Sequence, residues 1–127
     1  TAARSRGVAP IVRVQRNEPA LIGSALDAGA AAVLVPQVSS RAEAEAAVSA
    51  ARFAPEGTRG AHPWVRAADF GARRNFFATA NADAAVIVMI EGVAGARNTE
   101  EILDTPGLDG IFIGPMDLSH ALGVPGE

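Results

Sequence analysis

Cysteine, lysine and tyrosine are all absent from the 127 residues; histidine occurs twice, and aromatic residues make up 5%. Without cysteine there are no disulfides, thiolate metal sites or cysteine nucleophiles. Without lysine, no Schiff base can form on this chain. An excess of positive charge is missing too. Eleven basic residues, every one arginine, stand against 14 acidic residues for a net charge of −3, which argues against a nucleic-acid partner. No apolar run approaches the roughly 18–20 residues of a membrane span, and the first residues do not read as a signal peptide. The expected compartment is the cytoplasm, with no membrane partner.

What is present describes a folded domain. Hydrophobic residues reach 49% and charged residues 20%, too apolar a mixture for a disordered tail. The length suits one domain. The chain opens on Thr1 rather than methionine and stops at Glu127, just after Gly-Val-Pro-Gly, so both ends are expected to be cut.

Short β-branched runs alternate with alanine-rich stretches. Ile11-Val12-Arg13-Val14 reads as a strand, followed by a helix with Asn17 as N-cap and Pro19 in its first turn, stopped by Gly29. Ala32-Val33-Leu34-Val35-Pro36 is the second strand. Ser40 and Glu43 form a capping box that opens a helix to about Arg52. Arg59-Gly60-Ala61 is a weaker strand candidate, and 64–81 reads as helix. Ala84 to Ile90 is an apolar run without alternation, as a parallel strand buried on both faces requires. A helical segment over 94–104 and the strand Gly110-Ile111-Phe112-Ile113 complete the series. Strand starts near 11, 32, 59, 85 and 110 recur every 21–27 residues. That rhythm predicts right-handed βαβ units, an α/β fold with a parallel sheet. A closed (β/α)8 TIM barrel needs about 250 residues, so the chain would supply about half of one, roughly five strands. A small doubly wound sheet is the competing fold, but no Gly-x-Gly-x-x-Gly follows any strand.

In such folds chemistry gathers at the carboxyl ends of the strands. Those positions are Arg13 and Gln15, Gln37, His62, Glu91 and Asp117. Glu91 ends the apolar run directly, and Asp117 lies in Gly114-Pro115-Met116-Asp117-Leu118-Ser119; each carboxylate could instead cap a helix. Two carboxylates at neighbouring strand ends without a thiol suit a hard divalent cation, magnesium or manganese. Arg13 inside an apolar strand needs an anion, either a substrate oxygen or a structural carboxylate. Asp27, two residues before Gly29, sits where a helix dipole disfavours it and calls for a partner, unless it is simply solvated. His62 and His120 read more readily as loop or packing residues than as functional ones.

Val12-Arg13, Leu26-Asp27-Ala28-Gly29-Ala30, Val33-Leu34-Val35-Pro36, Gly57-Thr58-Arg59-Gly60, Ile90-Glu91 and Gly110 to Ser119 together resemble the HpcH/HpaI aldolase family. These are metal-dependent class II pyruvate aldolases with citrate lyase beta-like relatives. The resemblance implies a partial TIM-barrel aldolase domain over 1–127, with Glu91 and Asp117 as ligands of magnesium or manganese, cobalt being a third candidate. It also implies catalytic roles for Arg13 and Asp27, Arg13 stabilising charge on the keto oxygen and Asp27 orienting a histidine. Substrate contacts would come from Met89, Met116 and Asp117. The implied reaction cleaves a 4-hydroxy-2-oxo acid into pyruvate and an aldehyde, in a homo-oligomer. Two positions depart from the family pattern. The catalytic histidine has no counterpart here and is expected upstream of Thr1, and Met89 stands where the family usually carries glutamine. The alternatives are a citrate lyase beta-like or malyl-CoA lyase-like enzyme, or a catalytically inactive binding module.

Overall fold

The computed structural model describes residues 2–126. Four parallel strands form one sheet in the order β1-β2-β3-β4: β1 Ile11–Arg13, β2 Ala32–Val35, β3 Ala85–Ile90 and β4 Gly110–Ile113. Helices α1 Pro19–Asp27 and α2 Arg41–Ala51 follow β1 and β2, α3 Phe76–Asp83 leads into β3, α4 Val93–Arg97 and α5 Thr99–Leu103 follow β3, and α6 Pro115–Ala121 follows β4. The periodicity of the apolar runs therefore translates into a parallel α/β sheet. No helix among the described residues is long and apolar enough to cross a membrane.

Register and alternation decide which side chains meet. Val33 pairs with Val86 and Val35 with Val88. These four and Ile90 are fully buried, in one cluster with Ile22 and Leu26 of α1, Ala44 and Ala47 of α2, and Ile102 of α5. Each such valine or isoleucine contributes about 1.5–3 kcal/mol on burial. The period of two then turns Arg13, Leu34, Ile87, Met89 and Glu91 to the opposite face of the sheet. Among the described residues that face carries no helix layer, and at its edges Ile11 is 60% and Phe112 51% exposed.

Several local expectations are corrected. Arg59-Gly60-Ala61 is not a strand, and β2 pairs directly with β3. The segment instead folds back on the end of α2, where Thr58 N donates to Ser49 O at 2.8 Å and Arg59 N to Arg52 O at 2.9 Å. Gly57 permits this approach, since a Cβ there would fall 2.3 Å from Ser49 O. The stretch read as one helix over 64–81 is a 3-10 segment, Arg66–Gly71, followed by α3. Left-handed Asp69, Phe70 and Gly71 break it. Asn98 divides the 94–104 helix into α4 and α5. Pro19 does open α1, but Glu18 is its N-cap, and Asn17 Nδ2 donates to Glu43 O at 2.9 Å. Ser40 caps α2 through its hydroxyl, which accepts from Glu43 N at 3.3 Å, while Glu43 reaches Ser39 N at 2.7 Å.

Candidate active site

Glu91 follows β3 as its next residue and keeps the facing of Ile87 and Met89. Its side chain is 6% exposed, a costly place for a carboxylate without partners. One oxygen, Oε2, accepts from the backbone N–H of Gln37 at 2.9 Å. That N–H reaches Glu91 because Gln37 is left-handed, with φ +56°. The other oxygen, Oε1, accepts no hydrogen bond among the described residues and lies 3.9 Å from an Arg13 guanidinium nitrogen. At that distance the attraction is ionic, without a hydrogen bond. Arg13 is itself steadied by Met89, whose Sδ accepts from Nε at 3.3 Å. The sulfur and the guanidinium meet because β1 and β3 present both to the uncovered face.

β4 and α6 close the site from the other side. Gly114 packs against Glu91, and a Cβ there would lie 2.8 Å from Glu91 Cγ and 3.2 Å from Oε1. Asp117 is exposed in the first turn of α6, where Gly114, not Asp117, is the N-cap. Its carboxylate has no hydrogen-bond or ion-pair partner among the described residues. Gln37, Glu91 and Asp117 share a cavity of about 360 Å³. No group of three or more histidine, cysteine, aspartate or glutamate side chains suited to a metal occurs among the described residues. The acidic pair therefore stands without a third protein ligand.

Other predicted positions fall elsewhere. Asp27 ends α1 at the amino-terminal end of the sheet, where Arg59 holds it at 2.6 Å. Arg59 also stacks over Phe53 at 4.4 Å. The partner that Asp27 needed is thus an arginine from the segment misread as a strand. His62 lies in that same irregular stretch and accepts from Trp64 N, so it is at no strand end. His120 sits in the last turn of α6 with Nδ1 2.8 Å from Met116 O. Met116 stays beside Asp117 in the first turn of α6 with its side chain off the cavity lining, and Gln15 is exposed in the loop after β1 without lining the cavity. A larger cavity of about 440 Å³ opens at the amino-terminal end of the sheet beside Pro10 and Arg59; it contains none of the acidic pair. Sequence reasoning missed the two backbone features of the site. Gly114 carried a signal, a glycine at a strand end where another group approaches closely. The left-handed Gln37 carried none.

The HpcH/HpaI aldolase/citrate lyase family model matches residues 1–127. The chain is 45% identical to 5-keto-4-deoxy-D-glucarate aldolase of Escherichia coli (strain K12 / DH10B) over 115 residues, 91% of this chain and 45% of that protein. It matches the crystal structure of an HpcH/HpaI aldolase/citrate lyase family protein from Burkholderia cenocepacia J2315 with a TM-score of 0.93 and 42% identity, covering 99% of this chain and 51% of that one. Citrate synthase SbnG matches with a TM-score of 0.83 and 36% identity over 99% of this chain and 48% of that one. The chain spans about half the length of these relatives, and its sheet and helices correspond to about half of a TIM barrel.

Proposed function

This chain belongs to the HpcH/HpaI aldolase/citrate lyase family, and from that membership we propose that the intact protein is a metal-dependent class II aldolase. It reversibly cleaves a 4-hydroxy-2-oxo acid into pyruvate and an aldehyde. The observation that carries this reading is the Glu91–Asp117 pair on one cavity, with Arg13 against the buried carboxylate.

The donor set fits a hard cation. Among the described residues Glu91 Oε1 takes no hydrogen bond and Asp117 has no partner, and Gly114 leaves room beside Glu91. Glu91 and Asp117 would hold magnesium or manganese, with cobalt as a third candidate, and so few protein ligands leave positions for substrate. When bound, the cation supplies the electron sink for the enolate of pyruvate. Gln37 N–H fixes the orientation of Glu91. Arg13 offsets the negative charge that develops on the keto oxygen as the C3–C4 bond breaks. The Met89 thioether steadies Arg13 and borders the substrate. The backbone amides of Met116 and Asp117, in the first turn of α6, receive the substrate carboxylate. Asp27 and the two histidines do not line this cavity.

The first substrate to test is the one named for the Escherichia coli relative. Its keto group adjoins a carboxylate, and its deoxy carbon precedes a hydroxyl, the pattern that a retro-aldol cleavage needs. Pyruvate release should stop on chelation and return with manganese. Asp117→Ala should abolish it and weaken manganese binding more than about tenfold by calorimetry, with the circular-dichroism melt unchanged. Full activity after exhaustive chelation, or an active Asp117→Ala protein, would overturn the assignment. The likeness to a citrate synthase favours a second reading, carbon–carbon bond formation onto a 2-oxo acid. No pyruvate from any 4-hydroxy-2-oxo acid, with condensation product from a 2-oxo acid acceptor, would establish that reading instead. Silence in both assays would favour an inactive binding module.

A further inference from the structure

We propose that Gln37 sets substrate specificity, its side-chain amide hydrogen-bonding a hydroxyl on the aldehyde half of the substrate. The inference rests on the aldolase reading and adds to it the part of the substrate beyond the 2-oxo acid.

The cavity leaves few polar groups for that part. Glu91 and Asp117 are committed to the cation, and Val38, Val93 and Ala94 bring apolar side chains. The Ser39 hydroxyl is taken by Glu43 Oε2 at 3.2 Å. Gln37 is the remaining polar side chain on the lining. It is exposed, and its amide makes no hydrogen bond among the described residues.

Its backbone is also held in an unusual state. At φ +56° a glycine would be easier to accommodate than a residue with a Cβ. Such strain persists where surrounding contacts over-determine it, and here they do. Gln37 N donates to Glu91, Val38 N donates to Met89 O at 3.1 Å, and Asn98 Nδ2 donates to Ser39 O at 2.8 Å. Gly95 packs so closely that a Cβ would fall 2.7 Å from Val38 O. Residues 37–39 are therefore clamped against β3 and α4. A side chain at a strained, clamped position on the cavity wall is suited to recognition. A neutral amide both donates and accepts, which matches a hydroxyl-bearing tail better than an alkyl one.

The test compares cleavage of 5-keto-4-deoxy-D-glucarate with cleavage of 4-hydroxy-2-oxopentanoate, whose tail is a methyl group, in the intact protein. Gln37→Gly keeps the N–H to Glu91 and suits the left-handed backbone, so it isolates the side chain. The wild-type preference in kcat/KM for the hydroxylated substrate should fall about tenfold, the worth of a neutral hydrogen bond near the upper end of its range. Gln37→Asn should recover part of it. A Gln37→Gly protein with the wild-type preference would overturn the inference. Exchange of the pyruvate C3 protons for deuterium by the wild type, followed by NMR, tests the 2-oxo acid site separately. Wild-type protein showing neither exchange nor cleavage would overturn the aldolase reading, and this inference with it.

Discussion

At the scale of single residues, the site depends on what Gly114 lacks. Glu91 is buried and pinned at one oxygen by Gln37 N–H, so it has little freedom to yield to a new methyl group. A Cβ at 114 would stand 2.8 Å from its Cγ and press on the oxygen proposed to bind metal. Gly114→Ala should therefore weaken manganese binding roughly tenfold, as displaced ligand supports do, while changing the melting temperature little. Calorimetry on the intact protein measures this; an unchanged affinity would show that Oε1 is not a ligand. Met89 illustrates the opposite case, a residue whose chemistry changes role with its neighbour. From the sequence it is a lost polar contact, but in the structure its sulfur is the acceptor for Arg13 Nε.

Among the elements, the end of α2 does more than terminate a helix. Arg52, with a side chain 7% exposed, donates to Asn81 O at 2.7 Å and to Ala84 O, tying α3 and the start of β3 to α2. It also reaches Gly107 O at 3.3 Å and Asp109 at 3.1 Å, just before β4. Asp109 in turn accepts from Val86 N at 2.7 Å. One guanidinium thus fixes the entries of two strands whose far ends carry Glu91 and Asp117. Arg52→Met preserves much of the packing but leaves the buried Ala84 carbonyl without this donor, at about 1–3 kcal/mol. A loss of about 1–3 kcal/mol is expected in denaturant unfolding of the intact protein, and an unchanged stability would mean that water replaces the arginine.

At the scale of the whole fold, the decisive feature is a sheet that the described residues cover with helices on one face only. β1 and β4 are its edges, and Ile11, Val12, Phe112 and Ile113 are 60%, 38%, 51% and 44% exposed. Unpaired edges with apolar side chains are templates for association. The 127-residue polypeptide by itself should self-associate at micromolar concentration, detected by light scattering. Phe112→Lys should reduce that association. Monomeric behaviour with a cooperative melt would show instead that the sheet is self-sufficient. In relatives twice as long, the corresponding sheet belongs to a TIM barrel.

The α/β class, the parallel sheet and the acidic pair were determined by the sequence. Each depends on local pattern: the unbroken apolar run of β3 suits a parallel strand, and Glu91, bordering that run, emerges at its strand end, while Asp117 follows β4 in the first turn of α6. The Ser40 cap and Pro19 start were legible for the same reason, since capping needs only neighbours in the chain. Contacts between distant segments were not legible. Arg59 looked like part of a strand because its neighbours are small and apolar, yet an ion pair to Asp27, 32 positions earlier, draws it to the other end of the sheet. The left-handed Gln37 follows no sequence rule, because glutamine has no local preference for positive φ. Only the tertiary structure decides it, through the hydrogen bond to Glu91, 54 residues away.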